Sequence, residues 1–225
     1  MKTKTKRTTK SKTTTKPTLV AFLLDRSGSM ETCRAETISG FNGYLDELNK
    51  KKNTLRFTLT QFDSISVDLL YDAVLLKDVD KLTTKTYVPR GNTPLYDAMG
   101  VTIRATEKKA GEKYDVLFVV LTDGLENASS DWDQAKINQL IKDKEKETWT
   151  FAYIGVGPHG WAASNTISAG TISAHNVMRS SADPKARKRD FTNFAKVTAC
   201  YTGMKRSAGG QSVGCIWTPD ESGED

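Results

Sequence analysis

Two short apolar runs, Leu19–Leu24 and Val116–Leu121, each stop at a carboxylate: Asp25 follows the first directly and Asp123 follows the second after Thr122. Six apolar residues without a polar interruption have the length of a strand, and a strand apolar at every position has to be covered on both faces. That favours central strands of a layered α/β sheet over a sheet with one wet face. Neither run is long enough to cross a bilayer. The carboxylates then fall at strand ends, where open α/β sheets bind their ligands.

The rest of the chain fits the same plan. From Glu31 to Lys50 the residues Ala35, Ile38, Phe41, Leu45 and Leu48 recur at three- and four-residue spacing, which predicts an amphipathic helix. Leu55–Phe62 and Ser66–Leu76 read as two strands joined by a turn near Asp63 and Ser64, a hairpin that makes one edge strand antiparallel. Pro94 suits the first turn of a helix carrying Leu95, Ala98, Met99, Thr102 and Ile103. Ser130 or Asp131 is the expected cap of a helix running to about Glu147. Trp149–Val156 is a third central strand, ended by Gly157 and Pro158. A short helix at Trp161–Ile167, a strand near Ile172–Met178 and a helix near Pro184–Tyr201 complete the prediction. Strands alternating with helices imply a doubly wound, mostly parallel, Rossmann-like α/β sheet with one antiparallel edge strand.

A chain of 225 residues with 37% hydrophobic content supports one well-filled core. The expected organisation is a flexible basic arm over residues 1–18, one domain over 19–202, and an irregular, acidic tail over 203–225. Charge supports the division. Residues 1–16 hold Lys2, Lys4, Lys6, Arg7, Lys10, Lys12 and Lys16 with no acid, and these seven cations exceed the whole net charge of +6. The domain itself is therefore near neutral. The arm has too little apolar content to offset the entropy of ordering.

No secretory signal is visible at the N-terminus, and the three cysteines, Cys33, Cys200 and Cys215, are odd in number and lack zinc or dithiol spacing. The expectation is a cytoplasmic protein in a reducing compartment, with no membrane contact.

The chemistry-bearing residues are Asp25, Ser27 and Ser29 in the loop after the first strand, with Gly28 allowing a sharp turn, and Asp123 at the end of the later strand. Alternate Asp and Ser in a tight loop direct several oxygens into one small volume. Such an all-oxygen site suits a hard cation, and magnesium, needing about six oxygens at about 2.1 Å and retaining some water, suits it well. Manganese is the other ion expected to fit. With only His159 and His175 in the chain, a histidine-built transition-metal centre is disfavoured.

Asp25-Arg-Ser-Gly-Ser29, Thr93 within Gly91-Asn-Thr-Pro94, and Asp123 within Thr122-Asp-Gly124 together resemble the von Willebrand factor type A domain, in three separated segments in the family's order. The resemblance implies a metal-ion-dependent adhesion site, with Ser27 and Ser29 on the ion directly, Asp25 and Asp123 acting largely through water, and Thr93 completing the set. It also implies a binding module without catalysis, whose ion takes an Asp or Glu from a protein partner.

Two other readings stay open on the residues alone. One is a metal-dependent hydrolase or phosphoryl-transfer enzyme using the same carboxylates, although no Gly-rich phosphate loop with a following Lys and no nucleophile paired with a base is visible. The other is a nucleic-acid-associated protein whose arm, residues 1–16, makes weak polyanion contacts. Glu126 and Asn127 read as solvated loop residues, Cys33 as a small buried side chain near a helix start, and His159 as a loop residue without a role.

Overall fold

A computed structural model describes residues 16–50, 55–147, 149–168, 176–180 and 183–207. These form a six-stranded sheet: β1 (Thr18–Asp25), β2 (Arg56–Phe62), β3 (Val67–Leu75), β4 (Asp115–Thr122), β5 (Trp149–Val156) and β6 (Val177–Ser180). The strand order is β3-β2-β1-β4-β5-β6. All neighbours are parallel except β2 and β3, the predicted hairpin. The helices are α1 (Arg34–Asn49), α2 (Leu95–Ala110), α3 (Gln134–Glu145), α4 (Gly157–Ser168) and α5 (Pro184–Ser207).

The apolar runs are central as expected, and every residue of β1 and β4 is buried. Their side chains divide by parity. Val20, Phe22 and Leu24 join Leu117, Val119 and Leu121 in the core under α1 and α5, while Leu19, Ala21 and Leu23 join Val116, Phe118 and Val120 under α2 and α3. Burying each of the Val, Leu and Phe side chains contributes about 1.5–3 kcal/mol, so both faces contribute to stability. In the first layer Phe22 meets Phe41 edge to face at 5.3 Å. Gly40 lets α5 come close to α1, since a Cβ there would lie 2.4 Å from the Phe191 ring.

The predicted arm, apart from its last residues, and the predicted tail beyond Ser207 lie outside the described residues, as do residues 172–175 of the predicted strand at Ile172–Met178. The strand seen there is β6, beginning at Val177. Helix α4 begins at Gly157, earlier than expected, and takes in His159, so Gly157 with φ +66° turns the chain directly from strand into helix. The cap of α3 is Asp133, whose side chain accepts from the Lys136 amide, and not Ser130 or Asp131. The amides of those two residues are engaged by Asp97, which holds them in a turn ahead of the helix.

Among the described residues no helix is long and apolar enough to cross a membrane.

Candidate metal centre

Because β1 and β4 are adjacent and parallel, their carboxyl ends place Asp25 and Asp123 side by side in the crevice beyond the sheet. Asp25 has no exposed surface. Its Oδ1 accepts from the Ser27 amide at 2.6 Å and its Oδ2 accepts from the Thr122 hydroxyl, while its backbone carbonyl accepts from the Tyr87 hydroxyl at 2.6 Å. Burial pushes the Asp25 carboxyl up to about 7; the hydrogen bonds from Thr122 and Ser27 oppose the rise and the charge of Asp123 adds to it. A carboxylate in that condition is a strong candidate for a cation partner.

Ser27 is buried and Ser29 exposed, yet their hydroxyl oxygens stand 3.1 Å apart, and Ser29 Oγ donates to Asp123 Oδ1 at 2.8 Å. Thr93 comes in from the other side. Its Oγ1 and the Oγ of Ser29 would both be in ordinary contact, at 3.4 and 3.5 Å, with a Cβ on Gly124, so the two hydroxyls border the same small volume beside that residue. The sequence-predicted residues Asp25, Ser27, Ser29, Thr93 and Asp123 are thus brought to one place. They present carboxylate and hydroxyl oxygens. Among the described residues, no group of three or more His, Cys, Asp or Glu side chains comes together in a form that would hold a metal.

Three loops around these residues are braced against one another. The Gly28 amide donates to the Gly91 carbonyl at 2.9 Å, and a Cβ on Gly28 would press on that oxygen at 3.1 Å. Arg26, between Asp25 and Ser27, turns toward the β2–β3 hairpin. It donates to Asp63 and Asp68, each at 2.8 Å, and to Ser66 at 3.1 Å. Arg90 donates to the same Asp63 oxygen at 2.9 Å, and the Ile65 and Ser66 amides occupy the other. Burial works to raise the Asp63 carboxyl, but these hydrogen bonds and the Arg26 charge outweigh it and hold it below the usual carboxylate value.

Glu126 and Asn127 are not the solvated loop residues that sequence suggested. Asn127 Oδ1 accepts from the Thr93 amide at 2.9 Å, and its own amide donates to the Thr93 carbonyl at 3.2 Å. Glu126 Oε2 accepts from the Tyr96 amide at 2.9 Å and from the Ser129 hydroxyl, and its Oε1 accepts from the Ala128 and Ser129 amides. Their position three and four residues past Asp123 was the only signal available. It acquires meaning only once the start of α2 is known to lie across from them.

The sequence pattern of the von Willebrand factor type A domain matches residues 20–189. The chain belongs to that family. Type A domains are typically protein-interaction modules and are generally without enzymatic activity, and many carry a divalent cation at an adhesion site. Solved structures share the fold. The von Willebrand factor domain of the type V pilus tip protein Mfa5 from Porphyromonas gingivalis is 11% identical, with 83% of this chain and 96% of that one covered at a TM-score of 0.62. Proximal thread matrix protein 1 from the mussel byssus, solved with zinc in its adhesion-site motif, is 14% identical, covering 82% of this chain and 46% of its own at 0.59. The pilus adhesin SpaC from Lactobacillus rhamnosus GG is 15% identical, covering 83% and 30% at 0.59. At these identities the likeness is one of fold. No curated protein matches the chain.

Proposed function

We propose that this type A domain is a metal-dependent protein-binding module in which Asp25, Ser27, Ser29, Thr93 and Asp123 hold a magnesium ion, or manganese in its place, and the ion receives an Asp or Glu side chain of a protein partner. The observation that carries the reading is the spacing of the oxygens. Neighbouring ligands of an octahedral ion with bonds of about 2.1 Å lie about 3.0 Å apart. The Ser27–Ser29 separation of 3.1 Å is of that size, and the 2.8 Å hydrogen bond from Ser29 to Asp123 keeps that carboxylate beside the hydroxyls, where it can act through water. The buried Asp25, whose carboxyl burial pushes up to about 7, supplies an anion that a cation would stabilise.

Two carboxylates offset the ion's charge, but if they act largely through water the inner shell is made of neutral hydroxyls and exchangeable water. An incoming carboxylate then displaces water and gains a direct contact. Leu125, 45% exposed beside the crevice, would give that partner an apolar contact next to its acid. The expected setting is intracellular, as the lack of a secretory signal in the sequence suggests.

Calorimetric titration with magnesium tests the site: one ion per chain is expected, with binding lost in Asp25→Ala and in Asp123→Ala. Partner capture compared in magnesium, in chelator, and with Thr93→Ala or Ser27→Ala tests the function. Capture unchanged by chelator and by both substitutions would move the binding surface elsewhere on the domain.

A further inference from the structure

We propose that Asn127 is a positioning residue of the metal centre, which it serves by holding Thr93 in place from the Asp123 loop; this rests on the metal reading above. Thr93 lies at the end of a stretch, residues 79–94, that contains no strand or helix. Its own segment is therefore a poor frame for a ligand, and the next residue, Pro94, has no amide to anchor it. What fixes Thr93 is Asn127. Both main-chain groups of Thr93 are engaged by that one residue, the amide by the side-chain oxygen and the carbonyl by the backbone amide. An N–H can face only the oxygen of the carboxamide, so the orientation of Asn127 is determined by its partner.

The clamp is extended by alternating hydrogen bonds. The Tyr96 amide, one of the orphan donors at the start of α2, is received by Glu126, and the Asp97 amide by the Ser129 hydroxyl at 3.0 Å. In return the Asp97 carboxylate receives the amides of Ser130, Asp131 and Trp132. Residues 93–97 and 126–132 are stitched in both directions, and Asp123 lies three residues before the second strip begins. Two candidate ligands about 30 residues apart in sequence are consequently linked through this clamp, and the third segment of the proposed site extends from Asp123 to Asn127.

Asn127 is itself exposed, so shortening it opens no cavity in the core. What Asn127→Ala removes is the acceptor for the amide of Thr93, a residue only 3% exposed. Removing such a partner of a metal ligand costs about 10- to 100-fold in metal affinity. Asn127→Asp keeps an oxygen at the same place and should restore binding, whereas Asn127→Leu should not.

The test is magnesium titration by calorimetry on the full chain and the three variants, with metal-free melting temperatures and the hydrogen-exchange rate of the Thr93 amide measured alongside. The expected result is a fall in affinity of at least about tenfold in Asn127→Ala and Asn127→Leu, faster Thr93 exchange in both, recovery in Asn127→Asp, and metal-free melting temperatures lowered by no more than the loss of one hydrogen bond. Parent-like affinity in Asn127→Ala overturns the proposal. So does a loss of affinity matched by a loss of metal-free stability, which would make Asn127 a residue of the fold. A parent chain that binds no magnesium or manganese overturns the metal reading first, and is told apart from these outcomes because it appears before any substitution is made.

Discussion

Arg26 donates through Nε to Asp63 at 2.8 Å, and the Asp63 side chain is completely buried while that of Arg26 is only 10% exposed. The pair joins the loop that carries the candidate ligands to the end of an edge hairpin. Asp63 also receives Arg90, so one carboxylate serves two cations from two loops. Breaking a buried ion pair from one side leaves an uncompensated charge, at a cost of about 3–5 kcal/mol. Asp68 remains to Arg26, which softens the loss, so Asp63→Ala is expected to cost about 3 kcal/mol in urea unfolding. The exposed Lys81–Asp46 pair is the control, and its removal should cost below about 1 kcal/mol. Equal effects at the two sites would show that Asp63 is well solvated.

Gly91 is the second test of how the loops are braced. Its φ of +66° is a left-handed conformation, and a Cβ there would meet Ser64 Oγ at 2.5 Å. Gly111 also has positive φ, +46°, but a Cβ on it meets nothing within 4 Å. Gly111→Ala should therefore cost only the conformational penalty, about 1–3 kcal/mol, and Gly91→Ala should add to its own conformational penalty the displacement of Ser64 and of the hydrogen bond its Oγ accepts from the Asn92 amide. Thermal melts of the two variants compare them, and Gly91→Ala should in addition weaken metal binding while Gly111→Ala leaves it unchanged. The reverse order of stabilities would mean that the 90–93 loop yields easily.

The strands were legible because burial on two faces leaves no polar position to confuse the pattern, as in Leu19–Leu24 and Val116–Leu121. The candidate ligands were legible because alternate Asp and Ser has a local chemical meaning. Asn127, Glu126 and Asp97 were not, since their hydrogen bonds go to residues some 30 positions away and nothing within a short window distinguishes them from solvated loop. Ser130 and Asp131 misled for the same reason: each is a good capping residue, and only the distant Asp97 decides that their amides belong to a turn, leaving the cap to Asp133. Arg26 was likewise silent, its role being set by Asp63 and Asp68 across the hairpin.

The charge of the first 16 residues gives a separate prediction. Seven cations without an acid make any polyanion contact of this chain depend on that segment. Deleting residues 1–16 should leave the melting temperature and magnesium binding unchanged and abolish binding to a DNA or RNA oligomer, which in the full chain should weaken steeply with salt. A large fall in melting temperature on deletion would show that the segment packs against the domain, and polyanion binding that survives it would place the contact on the folded surface.

The last prediction concerns pH and follows from Asp25. Burial pushes its carboxyl up to about 7, with Thr122 and Ser27 opposing the shift by hydrogen bonds, against an ordinary value near 3.8. Between those two values the metal-free folded state holds a proton that the unfolded chain releases. The folded state binds more protons there, so stability falls as pH rises through the window and levels off above about 7. Metal binding has the opposite dependence, because the ion competes with that proton and binds more tightly as the carboxyl ionises. The window from pH 5 to 7.5 lies above the range in which Asp63, Asp68 and Asp97 titrate, since each of these is held below the usual carboxylate value. The metal-free melting temperature should therefore fall from pH 5 to pH 7.5, and added magnesium should raise it more at pH 8 than at pH 6. Asp25→Asn, which cannot ionise, should flatten both trends. A metal-free melting temperature that rises across the same window, with a magnesium effect equal at pH 6 and pH 8, would show that Asp25 is ionised throughout and that burial is offset by partners in the crevice.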